Sequence, residues 1–186
     1  MSWFTSDTHF NHANIIKFCG RPFKDVFDMN DKLIKNWNAR VKENDTVYCI
    51  GDFCFRGGTQ GGKSPAQIFE DQLNGKIIHI RGNHDINNGV NSLITYAIME
   101  FGRKQVVVTH VPPTMEPEVP EFCDFVICGH VHEKWKFKYD NTFKVPFINV
   151  GVDVWKFMPI SIQEILVFYD QIVSGKGSEY YREGKS

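Results

Sequence analysis

No run of about 18 apolar residues occurs in the sequence, so no segment is expected to cross a membrane. A basic segment followed by an apolar core is also missing at the N-terminus, so no secretory leader is expected and the expected compartment is the cytoplasm. Excess charge is missing too. Twenty-one Lys and Arg face 22 Asp and Glu, a net charge of -1, which leaves no global basic field for nucleic acid or lipid, only room for a local basic rim. The five cysteines (19, 49, 54, 123 and 128) are odd in number and contain no C-x-x-C pair, which disfavours a cysteine zinc site. Cys49, Cys123 and Cys128 lie in apolar runs and read as reduced core thiols. Cys54 lacks the His and Asn partner pattern of a nucleophile.

What is present is an ordinary globular balance of 42% hydrophobic and 23% charged residues. A single domain over residues 1–173 has the length to bury a sizeable core, followed by a polar, Gly-containing tail over 174–186. Strands are expected at 2–6, 46–50, 76–80, 106–109, 125–128, 135–139, 143–150 and 161–168. Helices are expected at 13–19, at 29–43 behind an Asp28 cap, and at 64–73. Met29, Leu33, Trp37 and Val41 recur every four residues, with Ile34 widening the stripe, the mark of a helix facing a core.

One theme recurs. A short buried strand ends, and Asp7, Asp52, Asn83, His110 or His130 follows at once. Ligand sites of mostly parallel α/β sheets lie beyond the carboxyl ends of strands. The segments are Asp7-Thr8-His9, Gly51-Asp52, Gly82-Asn83-His84-Asp85, Thr109-His110 and Gly129-His130-Val131-His132. Residues two apart in extended chain point alike, so D-x-H and H-x-H can each offer two donors to one place. Carboxylate and imidazole suit Mn, Fe, Zn, Ni or Co. Each segment alone reads equally as a turn, because Asp, Asn and Gly favour turns. Six of the seven histidines lie in or beside this set, and only His79 sits within a strand as a structural residue.

The ordered set D-x-H, G-D, G-N-H-D, H and G-H-x-H resembles the calcineurin-like metallophosphoesterases, and the opening Ser6 to His12 resembles their short bacterial and phage members. The resemblance implies an α/β fold, a four-layer αββα sandwich of two mixed sheets. It implies two divalent ions, manganese favoured, one on Asp7, His9 and His132, the other on Asn83, His110 and His130, with Asp52 bridging. It implies hydrolysis of a phosphate ester by a hydroxide held between the ions, with diesters, monoesters and dinucleotides all fitting. The short chain leaves little room for a capping domain, and the open cleft expected from that leans towards diesters, with a nucleotide or a nucleic-acid end as substrate. His84 and Asp85 are then the catalytic pair, His84 beside the phosphate and Asp85 orienting it.

Asn11, His12, Arg21 and Arg56 are candidates for substrate contact, against surface or structural roles for each. Asp153 is a candidate brace for a ligand histidine. Phe10, Phe53 and Phe55 are candidates to stack on a base, with core packing as the alternative. Two other functions compete. Residues 57–64 formally match G-x-x-x-x-G-K-S, a P-loop nucleotide site, but no good strand precedes them. The same fold also serves as a non-catalytic interaction module in the retromer scaffold subunit, whose ligands are eroded, whereas this chain keeps the full set.

Overall fold

Trp3 and Phe4 point to opposite faces of β1 (Ser2–Thr5), as strand neighbours must, and each belongs to a separate core. The computed structural model describes residues 1–55, 59–114 and 118–175. β1 pairs in parallel with β2 (Thr46–Ile50), which pairs in parallel with β3 (Lys76–Ile80). Five more strands form a second sheet: β4 (Tyr96–Phe101), β5 (Lys104–Thr109), β6 (Phe125–Cys128), β7 (Phe137–Asp140) and β8 (Val145–Asn149). Its order is β4-β5-β6-β8-β7, parallel at β5-β6 and β6-β8 and antiparallel at both margins. The two-residue β9 (Ile160–Ser161) runs antiparallel to β1 and completes the first sheet as β3-β2-β1-β9. Both sheets are therefore mixed, as expected.

On the Trp3 face, α1 (Ala13–Phe18), α2 (Val26–Arg40) and α3 (Pro65–Glu70) cover Val47 and Cys49 with Ile15, Met29, Leu33, Trp37 and Phe69. The Phe4 face, with Ile50 and Ile80, meets Val106, Val108, Phe125, Ile127 and Ile148 of the second sheet. α4 (Ile162–Val173) adds Ile165, Phe168 and Tyr169 to that inner core. The remaining face, with Val107, Val126 and Phe147, is covered among the described residues by irregular chain carrying Val119, Cys123, Trp135 and Phe143. Among the described residues no helix is long and apolar enough to cross a membrane.

Three expectations change. Residues 161–168 are helical beyond the first, because Ser161 and Glu164 form a reciprocal capping box and Ile162, Ile165, Phe168 and Tyr169 bury one helical face. β4 was not expected; it is a sheet margin whose residues alternate only between exposed and half-buried, so its apolar signal is weak. α2 starts at Val26 rather than Met29, because the Asp25 carboxylate accepts the Phe27 and Asp28 N–H groups and leaves Asp28 in the first turn.

Candidate metal centre

The chain leaving β1 is bent by alternate left-handed residues, Asp7 (φ 56°), His9 (φ 49°) and Asn11 (φ 63°). Asp52, His130 and His132 share that conformation at φ 54°, 70° and 49°. It costs a non-glycine residue about 1–3 kcal/mol and is tolerated best by Asn, Asp and His. Here the expense is met by lacing. Asp7 N donates to Gly51 O at 3.0 Å, His9 N to Asp52 O at 3.0 Å and Phe10 N to Phe53 O at 2.9 Å. A Cβ on Gly51 would come within 2.5 Å of His110 Nδ1 and 2.6 Å of Gly82 Cα. A Cβ on Gly129 would collide with Ser6 Oγ and lie 2.6 Å from Asp7 Oδ2. Glycine is thus needed for the close approach of the loops.

The scattered segments converge. Donor atoms of Asp7, His9 and His132 lie within 4.8 Å of one another, and so do those of Asp52, His110 and His130. Asn83 Oδ1 joins the second group, 3.0 Å from His110 Nε2 and 3.1 Å from His130 Nδ1. One oxygen links the two groups: Asp52 Oδ2 is 3.3 Å from His110 Nε2 and 3.5 Å from His9 Nε2. His9 Nε2 is buried without a hydrogen-bond partner. A buried orphan nitrogen beside a carboxylate is costly unless a cation takes it up. The donor set of carboxylates, imidazoles and one amide oxygen suits first-row divalent ions. The residues fit a pair of metals.

Charge follows burial. Burial raises the Asp7 carboxyl above its usual range, with His110 and His132 pulling against it. Burial would raise Asp52 as well, but hydrogen bonding to His110 and the His84 N–H lowers it. Burial pushes His9 down to about 2, so this ring is neutral. For His110 burial is overcome by the hydrogen bond to Asp52 and the charges of Asp7 and Asp52, and the ring is pushed up to about 9.

A second ring of residues holds the first. Arg21 Nε and Nη2 clasp Asp153 at 2.8 and 2.9 Å, and Nη2 also donates to Asp7 O at 2.7 Å. Asp153 Oδ2 lies 3.1 Å from His132 Nδ1, which makes it the expected brace. The Ile50 carbonyl, 2.8 Å from His110 Nδ1, leaves Nε2 of that ring facing the cluster. Asn149 holds the Gly129–His132 loop by donating to His132 O and Trp135 O, both at 2.8 Å.

Several expectations are corrected by this geometry. Arg21 does not await a phosphate: it is 4% exposed and its fork is spent on Asp153 and on backbone carbonyls. Asp85 does not orient the His84 ring. Its carboxylate accepts the backbone N–H groups of Asp52, Phe53 and Gly82 at 3.0, 2.9 and 2.8 Å, tying β2's loop to β3's. Phe10 and Phe53 are fully buried and cannot stack on a base. Phe55 is half-buried and stacks on His12, with centroids 4.1 Å apart. His12 Nδ1 lies 3.3 Å from His9 Nδ1, while Asn11 is exposed and donates its N–H to Asn30. His84 stands exposed at the rim, its N–H on Asp52 Oδ1 at 2.9 Å and its ring 5.8 Å from that of His9. Arg56 lies outside the described residues, as do Gly57 and Gly58 of the P-loop-like stretch. Of that stretch, Lys63 pairs with Asp71 and Ser64 caps α3, so both chemical residues are occupied. All five cysteines are free thiols; burial pushes Cys54 up to about 12, which rules against a nucleophile.

A profile of the calcineurin-like phosphoesterase superfamily domain matches residues 3–162. The chain belongs to that superfamily. An uncharacterised protein of Methanocaldococcus jannaschii is 37% identical over 163 residues, covering 87% of this chain and 86% of its own length. The gene 66 protein of Mycobacterium phage L5 is 26% identical over 186 residues, covering 83% and 87%. Among solved structures, a protein of unknown function from Aquifex aeolicus superposes with a TM-score of 0.66 at 27% identity, covering 90% of this chain and 98% of that one. The two donor groups of this calcineurin-like chain are Asp7, His9 and His132, and Asp52, His110 and His130.

Proposed function

We propose that this protein is a metal-dependent phosphoesterase that hydrolyses phosphate esters, with diesters preferred, at a pair of divalent ions, manganese favoured. The observation that carries the reading is the position of Asp52 Oδ2 between His9 Nε2 and His110 Nε2, with a separate donor group on each side. Two ions held there would supply Lewis acidity towards phosphate oxygens and make hydroxide accessible near neutral pH.

The chain's own residues do the rest. Asp7, His9 and His132 hold one ion, and Asn83, His110 and His130 the other, with Asp52 shared. Asp85 and Arg21 keep the loops at one spacing, which matters because a donor displaced by 1 Å costs about a hundredfold in rate. His84 is fixed at the rim through its own N–H, close enough to the cluster for its ring to donate a proton to the leaving oxygen or a hydrogen bond to the phosphate. His12, with its Nδ1 3.3 Å from that of His9, and the exposed Asn11 are the contacts for the bound ester in this reading. Residues 1–173 form the catalytic unit in this reading, and the substrate is a phosphate ester carrying a nucleotide or a nucleic-acid end.

Reconstitution with Mn, followed by a metal count and assays on bis(p-nitrophenyl) phosphate and p-nitrophenyl phosphate, tests this. Two equivalents of bound metal and faster turnover of the diester are expected. Turnover of the monoester alone removes the diester preference. A protein that keeps no metal removes the assignment and favours an interaction module.

A further inference from the structure

Beside the exposed half of the cluster lies a cavity of about 380 Å³, walled by Arg81, Ile86, Tyr96 and Val111 next to Asn83 and His110. Its wall is tied to both ligand loops. Tyr96 opens β4 and pairs across from Thr109, the residue before His110. Arg81 N donates to Ile94 O at 2.6 Å, and Thr109 Oγ1 to Thr95 O at 3.2 Å. Ser92 Oγ donates to His79 O at 2.6 Å, so the approach to β4 is fastened to β3 as well.

The lining has a distinct chemistry. Tyr96, Val111 and Ile86 are 40%, 46% and 59% exposed, large side chains with apolar surface turned outward at a reaction centre. The Arg81 guanidinium makes no hydrogen bond or ion pair among the described residues. An unspent planar fork in a cleft favours an anion bound through two parallel bonds. A flat ring with aliphatic neighbours favours another flat ring, with little regard to its substituents. Glu118 also lines the cavity, with one carboxylate oxygen accepting the Thr114 N–H at 2.8 Å.

We propose that this cavity seats a nucleotide moiety of a phosphodiester, its base against Tyr96, Ile86 and Val111 and its additional phosphate at Arg81. The scissile phosphate then lies towards Asn83 and His110. The inference rests on the phosphoesterase reading and names the residues that would select a nucleotide substrate. The reaction is a hydrolysis: phosphorus gains an oxygen from water, the leaving oxygen keeps the pair of the broken P–O bond, and the proton lost by water ends on that oxygen. The products are a phosphate monoester and an alcohol, one of them carrying the nucleoside. No oxidant or reductant is needed.

The test compares kcat/KM for thymidine 3′-phosphate 5′-(p-nitrophenyl phosphate), which carries a second phosphate besides the scissile one, with that for bis(p-nitrophenyl) phosphate, both with Mn. The nucleotide ester is expected to be the better substrate. Tyr96→Ala and Arg81→Gln should each lower the ratio by about tenfold, mainly through KM, the size of effect expected for one stacked base or one charged pair. Tyr96→Phe keeps the ring and should keep the ratio, which separates lost stacking from lost folding. A ratio unchanged within about twofold in both Tyr96→Ala and Arg81→Gln overturns the inference while leaving the phosphoesterase reading intact. If the metal-loaded protein turns over neither ester, that reading fails instead. Calorimetric binding of thymidine 5′-monophosphate, with and without metal, then decides about the cavity: about tenfold weaker binding to Tyr96→Ala supports it, and equal binding overturns it.

Discussion

On one side of Asp52, Asp7 and His9 are 0% and 1% exposed, and His132 is held through Asp153 by a fully enclosed Arg21. On the other side, Asn83 and His130 face solvent, and His110 leans on a backbone carbonyl rather than on a braced carboxylate. The difference follows from the chain. The Asp7–His9 loop runs beneath α1 and α2 and is laced to the β2 loop along its whole length. The Asn83 and His130 loops border the open cavity beside β4 or the solvent. One half of the centre is therefore part of the core, and the other opens to solvent. The sealed half should hold its ion when a chelator is added, and the open half should lose its ion first.

The hardest blow to this comparison is Asp52→Ala, because Asp52 is the one group both halves share. Loss of several kcal/mol of charge stabilisation translates to at least about a thousandfold in kcat/KM on a phosphodiester. Metal content should fall at both halves together. If one equivalent stays at full affinity, the halves are independent and the shared oxygen is not a link.

Stability separates the halves next. Arg21→Met takes the guanidinium from buried Asp153 and leaves it His132 alone, and breaking such an enclosed pair costs about 3–5 kcal/mol. For a chain of this length that lowers Tm by roughly 6–20 °C. His130→Asn, at an exposed side chain and with a residue that tolerates the left-handed backbone, should move the metal-free Tm by no more than about 2 °C. Equal losses would show that the sealed half is no more structural than the open one.

Asp153→Asn takes the negative partner from the enclosed Arg21 and so costs stability as Arg21→Met does, but its sharper readout is the metal. Weakening the brace on His132 should cost about 10–100-fold in the affinity of one ion and leave the other unchanged. A two-site calorimetric titration reads this directly. Loss at both ions would mean that the brace serves the whole cluster.

What the sequence disclosed about this centre tracks how local each signal is. Asp7, His9, His130 and His132 are legible because two donor residues two apart, flanked by Ser6 or Gly129, are written within four letters. Arg21 is illegible for the opposite reason: its partner Asp153 lies 132 residues away, and only folding brings the pair together. Asp85 misleads because it stands beside His84 while its carboxylate turns towards the Asp52 loop, 33 residues distant. The same rule explains the fold. Central strands such as β6 carry an unbroken apolar run, FVIC, and stand out. β4 is YAIMEF on a sheet margin, and its half-buried alternation is a weak signal. In α4 the apolar ILVF run fits either period, and the deciding sign was the Ser161 and Glu164 spacing of a capping box.

The last contrast is the pH dependence of the metal-free protein, and it pits one half against the other. His110 is raised to about 9 from its ordinary 6.5, so the folded chain holds that proton more tightly than the unfolded one. Its contribution to stability is complete below pH 6.5 and is lost as pH climbs through 9. His9 is depressed to about 2, so below pH 6.5 the unfolded chain gains a proton that the folded chain refuses. Stability then drops on the acid side too, and Tm should peak near pH 6.5. His110→Gln should flatten the alkaline limb, although His132, also raised, keeps part of it. His9→Gln should flatten the acid limb. Loading with Mn should erase the alkaline limb, because the ions replace the protons that His110 and His132 carry. An alkaline limb that survives metal loading would show that its protons sit elsewhere than on the metal-facing rings.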